Sequence, residues 1–343
     1  MRRLLNVLFV TTQGAYLHRE RESVLVECNG ERKIRVPVHT LEGIVCFGQV
    51  MVSPQVMELC AERGVTMSFL SQGGRFWARV QGPVSGNVLL RRAQYRMADD
   101  AESSAQIARA VVIAKVFNSR AVLQRQLRSH PCSEGATELR EAVDHLGELL
   151  KALSSHQSLD SVRGIEGEAA RRYFQVFRHL VLVQRDSFPF DGRSRRPPLD
   201  NMNALLSFIY TLLVHDVTSA LESVGLDPAV GFLHRDRPGR PGLALDIVEE
   251  LRPYLGDRLA LSLVNLKQVT GEGFQKTTSG AVVMDDDTRR QVIKTYQERK
   301  REEIVHPYLK EKIEVGLIPY AQALLLARYI RGDIDGYPPF IWR

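Results

Sequence analysis

The feature that most constrains this chain is a change of hydrophobic period near residue 82. Before it, short β-branched or alternating runs occupy residues 4–10, 15–19, 22–28, 31–37 and 43–47, broken by Gly14, Asn29-Gly30 and Gly48. A period of two marks half-buried strands, and Asn-Gly between two such runs marks a hairpin. Ser53-Pro54 opens a short helix to Glu62, with Ser53 as N-cap, Pro54 at the first helical position and Gly64 at the end. Strands at 65–70 and 76–80 follow, around Gly73-Gly74. After Gly82-Pro83-Val84-Ser85-Gly86, apolar residues recur three and four apart. That period predicts helices over 87–128, 137–155, 166–186, 203–224, 243–269, 286–303 and 307–331. One hairpin is expected near 272–284, a basic irregular loop over 187–201, and an irregular or mobile Gly/Pro-rich end from Gly332. The fold class read from this pattern is α+β: an N-terminal β-rich domain (1–82), then a C-terminal all-α domain (88–343).

A length of 343 residues suffices for two domains that each bury a core. Hydrophobic content of 44% and charged content of 25% are ordinary for a soluble globular chain, so they exclude fibrous and disordered classes without selecting a function. The net charge of +6 is too small to imply nucleic acid unless the arginines cluster. The start, Met1-Arg2-Arg3-Leu4-Leu5-Asn6, resembles a signal peptide only superficially: the apolar run is short, Asn6 interrupts it, and no small-x-small site follows, so a first strand is expected. No apolar run is read as approaching the ~20 residues of a membrane span. The scattered Cys28, Cys46, Cys60 and Cys132 form no C-x-x-C pair and read as buried small hydrophobes in a reducing compartment, the cytoplasm by default.

Chemistry-bearing residues gather in the second half. Glu166 lies in GIEG, His234 in GFLH, and Asp246 and Glu249 in LDIVEELRP. Two carboxylates and an imidazole suit one divalent cation, and nearby arginines suit a polyanion. Asp246 and Glu249, three apart, share a helix face, and Glu250 flanks the same side. Pro253 cannot donate to the Glu249 carbonyl, so the helix should kink there. Each motif has an ordinary alternative. D-x-x-E is common on solvated helix faces. Glu166, read in the first turn of its helix, complements the macrodipole. A lone histidine is more often structural than a ligand. Gly164 and Gly167 beside Glu166 permit close approach of backbone or ligand.

Taken with their surroundings, these stretches resemble the CRISPR-associated endonuclease/integrase of the adaptation module. The likeness runs in order through SPQVMELCAERGVTMSFLSQGG (53–74), GIEGEAARRYF (164–174), LDNMNALLSFIYTLL (199–213), GFLH (231–234) and LDIVEELRP (245–253), and covers essentially the whole chain. The ending GDIDGYPPFIW suggests the type I-C branch. The resemblance implies that Glu166, His234 and Glu249 are ligands of Mg²⁺ or Mn²⁺, that Asp246 is a further catalytic acid, and that Arg237 and Arg252 bind DNA. Some family members have Asp where Glu249 stands. It implies insertion of short foreign DNA (protospacers) into a repeat array by phosphodiester transesterification on double-stranded DNA. It also implies a homodimer through the β-domain and a complex with the small partner Cas-two, and no membrane. Two other functions stay open: a metal-dependent nuclease on branched DNA in repair, and a non-catalytic DNA-binding scaffold.

Overall fold

The computed structural model describes residues 7–41, 43–72, 76–80, 82, 88–132, 134–155 and 158–342. Of the expected boundary segment only Gly82 lies among them, and Met1–Asn6 and Gly73-Gly74 lie outside. Contacts divide the chain into two compact units. One comprises Met1–Gly86 with the short pieces Gln297–Glu302 and Glu314–Leu317; the other comprises Asn87–Tyr296, Glu303–Ile313 and Ile318–Arg343.

The first unit is β-rich. Strands β1 (Val7–Val10), β2 (Tyr16–Glu20), β3 (Ser23–Cys28), β4 (Glu31–Pro37), β5 (Gly43–Phe47) and the short β6 (Met51–Val52) precede helix α1 (Pro54–Arg63), β7 (Thr66–Leu70) and β8 (Phe76–Val80). They form two four-stranded sheets, ordered β1-β5-β7-β8 and β4-β3-β2-β6. The β3–β4 hairpin turns on Asn29 (φ 52°) and Gly30 (φ 77°). Both are left-handed, as a tight turn matching strand twist requires. Ser53 caps α1 by accepting from the Val56 amide, and Gly64 ends it at φ 67°. Along α1, Val56, Leu59 and Cys60 fall at i, i+3 and i+4, and they join Leu17, Val24, Ile44, Cys46 and Met67 in the core. Cys46 and Cys60 are free thiols, each pushed up to about 12 by burial, so neither ionises near neutrality.

The second unit is mainly helical: α2 (Val88–Asp99), α3 (Ala101–Ser129), α4 (Ala136–Ala152), α5 (Leu159–Val176), α6 (Asn201–Ser223), α7 (Gly242–Leu251), α8 (Arg258–Asn265), α9 (Asp286–Lys300) and α10 (Ile318–Ile330). Helix α3 packs against α4, α5 and α7, and α6 packs against α7 and α10. The expected hairpin forms as β9 (Phe274–Lys276) and β10 (Val282–Met284).

Several expectations need correction. The helix expected over 87–128 is two, because Asp100 caps a new start at Ala101. The helix expected from 166 begins at Leu159, capped by Ser158, which puts Glu166 two turns inside α5 and removes the macrodipole explanation. The segment expected as helix from 307 begins helical structure only at Val315. Before it lies a pair of short strands, β11 (Glu303–Val305) and β12 (Lys312–Glu314), with Lys310 in the left-handed region between them. An apolar helix of membrane-spanning length does exist. It is α6, whose most apolar stretch is two-thirds buried by its neighbours, as suits a core helix.

Candidate active site

The site grows from α7 and the loop that leads to it. Gly231 makes the loop possible: a Cβ there would sit 2.7 Å from both Asp246 Oδ2 and the Gly242 carbonyl carbon. Its absence lets the backbone close over the Asp246 carboxylate. Three consecutive amides donate to that carboxylate, Phe232 to Oδ2 at 2.6 Å, Leu233 to Oδ2 at 3.0 Å and His234 to Oδ1 at 3.0 Å. The His234 ring adds a fourth contact, Nδ1 to Oδ1 at 2.6 Å. Asp246 is wholly buried, and its lone pairs are taken by these four groups. It therefore fixes the imidazole as the tautomer with its proton on Nδ1 and leaves Nε2 free to accept. Nε2 faces Glu249, 4.0 Å from Oε1. Arg163 on α5 braces the same loop, donating from Nε to the Leu233 carbonyl at 2.7 Å.

Glu249 is buried rather than solvated. Arg252 donates to its Oε1 and Lys115 Nζ lies 2.7 Å from its Oε2. Burial alone would push this carboxyl up, but the Arg252 guanidinium and the Lys115 ammonium, with His234 behind them, hold it down at about 2. Glu166 reaches the same ammonium from α5 through its Oε1. The structure thus brings Glu166, His234, Asp246 and Glu249 together. Among the described residues, however, no three acid, imidazole or thiol groups are spaced to close on one ion, because Lys115 stands between the two glutamates. Gly164 and Gly167 have nothing near an added Cβ, so close approach does not explain them.

Glu250 departs from the reading that put it beside Asp246. Its side chain turns to the chain end, where Tyr337 Oη (2.7 Å), the Phe340 amide (2.8 Å) and Gln322 Nε2 (3.0 Å) all donate to it. Burial pushes it up to about 8 against these donors, with the Asp246 charge adding to the rise. Asn118 ties the same segment down by donating to the carbonyls of Glu250 and Phe340, and it accepts from the Trp342 amide. The tail is irregular, as expected, but held.

The two arginines differ. Arg237 is exposed, whereas Arg252 points inward and lies over the Tyr210 ring at 5.0 Å. Arg193 covers the same ring at 5.2 Å. Lys115, Arg193, Arg195 and Arg252 line a small cavity of about 20 Å³ with Tyr173, Tyr210 and Asp257. After α7, where Pro253 was expected to kink the helix, residues Arg252–Asp257 form a widened π turn. The sequence reading missed Lys115 and the part Arg193 plays here. A lysine inside the apolar run Ala110–Val116 was the available signal for the first.

A family model described as CRISPR associated protein Cas1 matches residues 8–298. An endonuclease of that name from Chlorobaculum tepidum is 54% identical over the full length of both chains. The chain belongs to the Cas1 family of CRISPR-associated endonucleases. Among solved structures, a casposase bound to integration product superposes with a TM-score of 0.84 at 20% identity, covering 98% of this chain and 94% of that one. A Cas1-containing chain of a Cas6-RT-Cas1–Cas2 complex gives 0.84 at 21% identity, covering all of this chain and 36% of that one. These two likenesses concern the fold.

Proposed function

We propose that this chain inserts short DNA segments into a repeat array by phosphodiester transesterification at the site built from Glu166, His234, Asp246 and Glu249. The observation that carries the reading is the convergence of two carboxylates and an imidazole whose Nε2 is freed by its Nδ1 bond to Asp246. In the reaction a 3′-oxygen bonds to phosphorus in the repeat strand as the bond to that strand's own 3′-oxygen breaks. The attacking hydroxyl loses a proton and the leaving oxygen gains one, so nothing is oxidised or reduced. With water as nucleophile the same site cleaves DNA.

Glu166, His234 and Glu249 fit a divalent ion by chemistry, hard oxygens with one neutral imidazole: the two glutamates already flank a cation, the Lys115 ammonium, and His234 Nε2 lies 4.0 Å from Glu249 Oε1. Mg²⁺ or Mn²⁺ held there supplies Lewis-acid stabilisation of charge on the phosphoryl group. Asp246 keeps the His234 ring oriented and takes no ligand position, since its oxygens are engaged. Arg237 offers a guanidinium to a backbone phosphate from the exposed loop and Arg193 one from beside Tyr210, whereas Arg252, also expected to bind DNA, is committed to Glu249 and the same ring. The β-rich unit serves homodimer formation and docking of the small partner Cas2, as the presence of this fold in a Cas6-RT-Cas1–Cas2 complex supports. The protein works in the cytoplasm on double-stranded protospacer and repeat DNA. The ending GDIDGYPPFIW favours the type I-C branch, which the genes neighbouring its own would test.

The test is a strand-transfer assay with a labelled short duplex and a repeat-bearing target, with and without the small partner. A joined product that needs Mg²⁺ or Mn²⁺ is expected. Cleavage of branched DNA with no joined product under any of these conditions would replace integration with the repair-nuclease reading.

A further inference from the structure

Among the described residues Lys115 is the cation that contacts both glutamates, yet no step above uses it. Its helix, α3, is the long central one, and the side chain is 9% exposed. Its Nζ contacts Glu166 Oε1 and lies 2.7 Å from Glu249 Oε2. A buried ammonium is not placed against two carboxylates by chance geometry of a flexible surface chain. Desolvating it is unfavourable unless the partners compensate. Conversely, Glu249 is almost wholly buried and faces Glu166 across the same gap, so without Lys115 only Arg252 would offset the pair.

We propose that Lys115 is an exchangeable counter-ion: it holds Glu166 and Glu249 in ligand geometry while the site lacks its metal, and it must leave them for a divalent ion to bind. This rests on the reading of Glu166, His234 and Glu249 as metal donors. A divalent ion seated on Glu166 Oε1 and Glu249 Oε2 would lie close to the ammonium that already contacts both oxygens, and like-charge repulsion at that range opposes joint occupancy. Lysine and metal therefore compete for these oxygens, and the lysine–carboxylate contacts are subtracted from the metal's affinity. Lys115 also lines a cavity of about 20 Å³ with Arg193, Arg195 and Arg252, which has room for a water but not for a phosphate.

The experiment measures Mn²⁺ binding to the full chain by the electron paramagnetic resonance of free Mn²⁺, and thermal unfolding in EDTA. The chains compared are wild type, Lys115→Met, Lys115→Arg and Glu166→Gln. Lys115→Met should bind Mn²⁺ roughly tenfold or more tightly, the range of a typical coupling free energy, and should melt lower than wild type in EDTA. Lys115→Arg, which keeps the charge, should melt close to wild type in EDTA. Glu166→Gln should weaken Mn²⁺ binding. If Glu166→Gln binds Mn²⁺ as wild type does, the metal-site reading itself fails. If it weakens binding but Lys115→Met binds no more tightly than wild type, only the counter-ion role is overturned. Should Lys115→Met not fold, the ¹⁵Nζ resonance of Lys115 in the wild-type chain decides. It should move on saturation with Mg²⁺, and an unmoved resonance overturns the proposal.

Discussion

Glu249 and Glu250 are neighbours on one helix, both buried, and their surroundings drive them in opposite directions. Glu249 faces Lys115 and Arg252 and is held down at about 2. Glu250 faces Tyr337, Gln322 and the Phe340 amide and is pushed up to about 8. Residue type and burial are the same, so the difference comes from what sits opposite: full cations in one case, neutral dipoles in the other. At Glu249 the full charges outweigh the desolvation of the carboxylate, and at Glu250 the three neutral donors do not. One face of α7 thus carries the charged residues of the proposed reaction site and the other a neutral clasp that fixes the chain end.

The largest expected break of this contrast is in turnover. Glu166→Ala, His234→Ala and Glu249→Ala should each lower strand transfer by at least ~10²-fold while the chain remains folded, given the several kcal/mol that a catalytic metal contributes. Rates with a labelled duplex, alongside circular dichroism, check this. Full activity in purified Glu166→Ala would remove Glu166 from the site. Asp246→Asn should also slow transfer yet keep Mn²⁺ binding, since Asp246 contacts the imidazole and three amides and no ligand position.

On the clasp side the loss should fall on stability. Glu250→Ala leaves Tyr337, Gln322 and the Phe340 amide without their shared acceptor, which costs about 3 kcal/mol for buried donors. Urea unfolding should show a lower midpoint with an unchanged slope. If instead turnover falls and the midpoint stays, Glu250 belongs to the reaction side and the contrast is wrong.

A smaller effect separates the two acids by pH. Glu250 rises from an ordinary value of 4.5 to about 8 on folding, so between these values the folded chain holds a proton that the unfolded chain has lost. Stability from this group is therefore full below about pH 4.5 and is lost as pH rises through 8. Glu249 has the reverse sign: held near 2, it contributes above pH 4.5 and is lost as pH falls toward 2. The groups facing Glu250 are Tyr337 and Gln322, with His306 behind Gln322 and the Asp246 charge nearby. In EDTA, wild type should lose stability between pH 5 and 8 and Glu250→Gln should lose less over that window. Parallel curves would show that Glu250 stays ionised.

Local signals explain how much of this could be read from sequence. Asn29-Gly30, Ser53-Pro54 and Gly64 set backbone angles within a few residues of themselves, and each element they announce is present. The spacing of Asp246 and Glu249 places both toward the site because helix geometry is also local. What escaped depends on residues far apart in the chain. Lys115 meets Glu166 across 51 positions and Glu250 meets Phe340 across 90, and no period or turn residue encodes such meetings. A helix read from residue 166 puts Glu166 in a first turn, whereas Ser158 supplies the actual cap. Gly164 and Gly167 lie in open space, so the close approach read from them is not what they provide.

The smallest expected effect concerns the arginines, which repeat the contrast at the surface. Arg237 is exposed, while Arg252 is committed to Glu249 and to the Tyr210 ring. A phosphate contact made by a free guanidinium releases about one counterion, so Arg237→Ala should make the log–log salt dependence of duplex binding shallower by roughly 0.9. Affinity should fall by a similar factor on unrelated sequences, since phosphate contacts carry no base identity. Arg252→Ala should act differently. It removes the main partner of a buried carboxylate, so the midpoint of unfolding should drop more than the salt slope changes. Binding titrations of both variants at several salt concentrations separate the two roles. An unchanged slope for Arg237→Ala removes it from the DNA path, and an equal change for Arg252→Ala means that its guanidinium turns from Glu249 to the phosphate when DNA arrives.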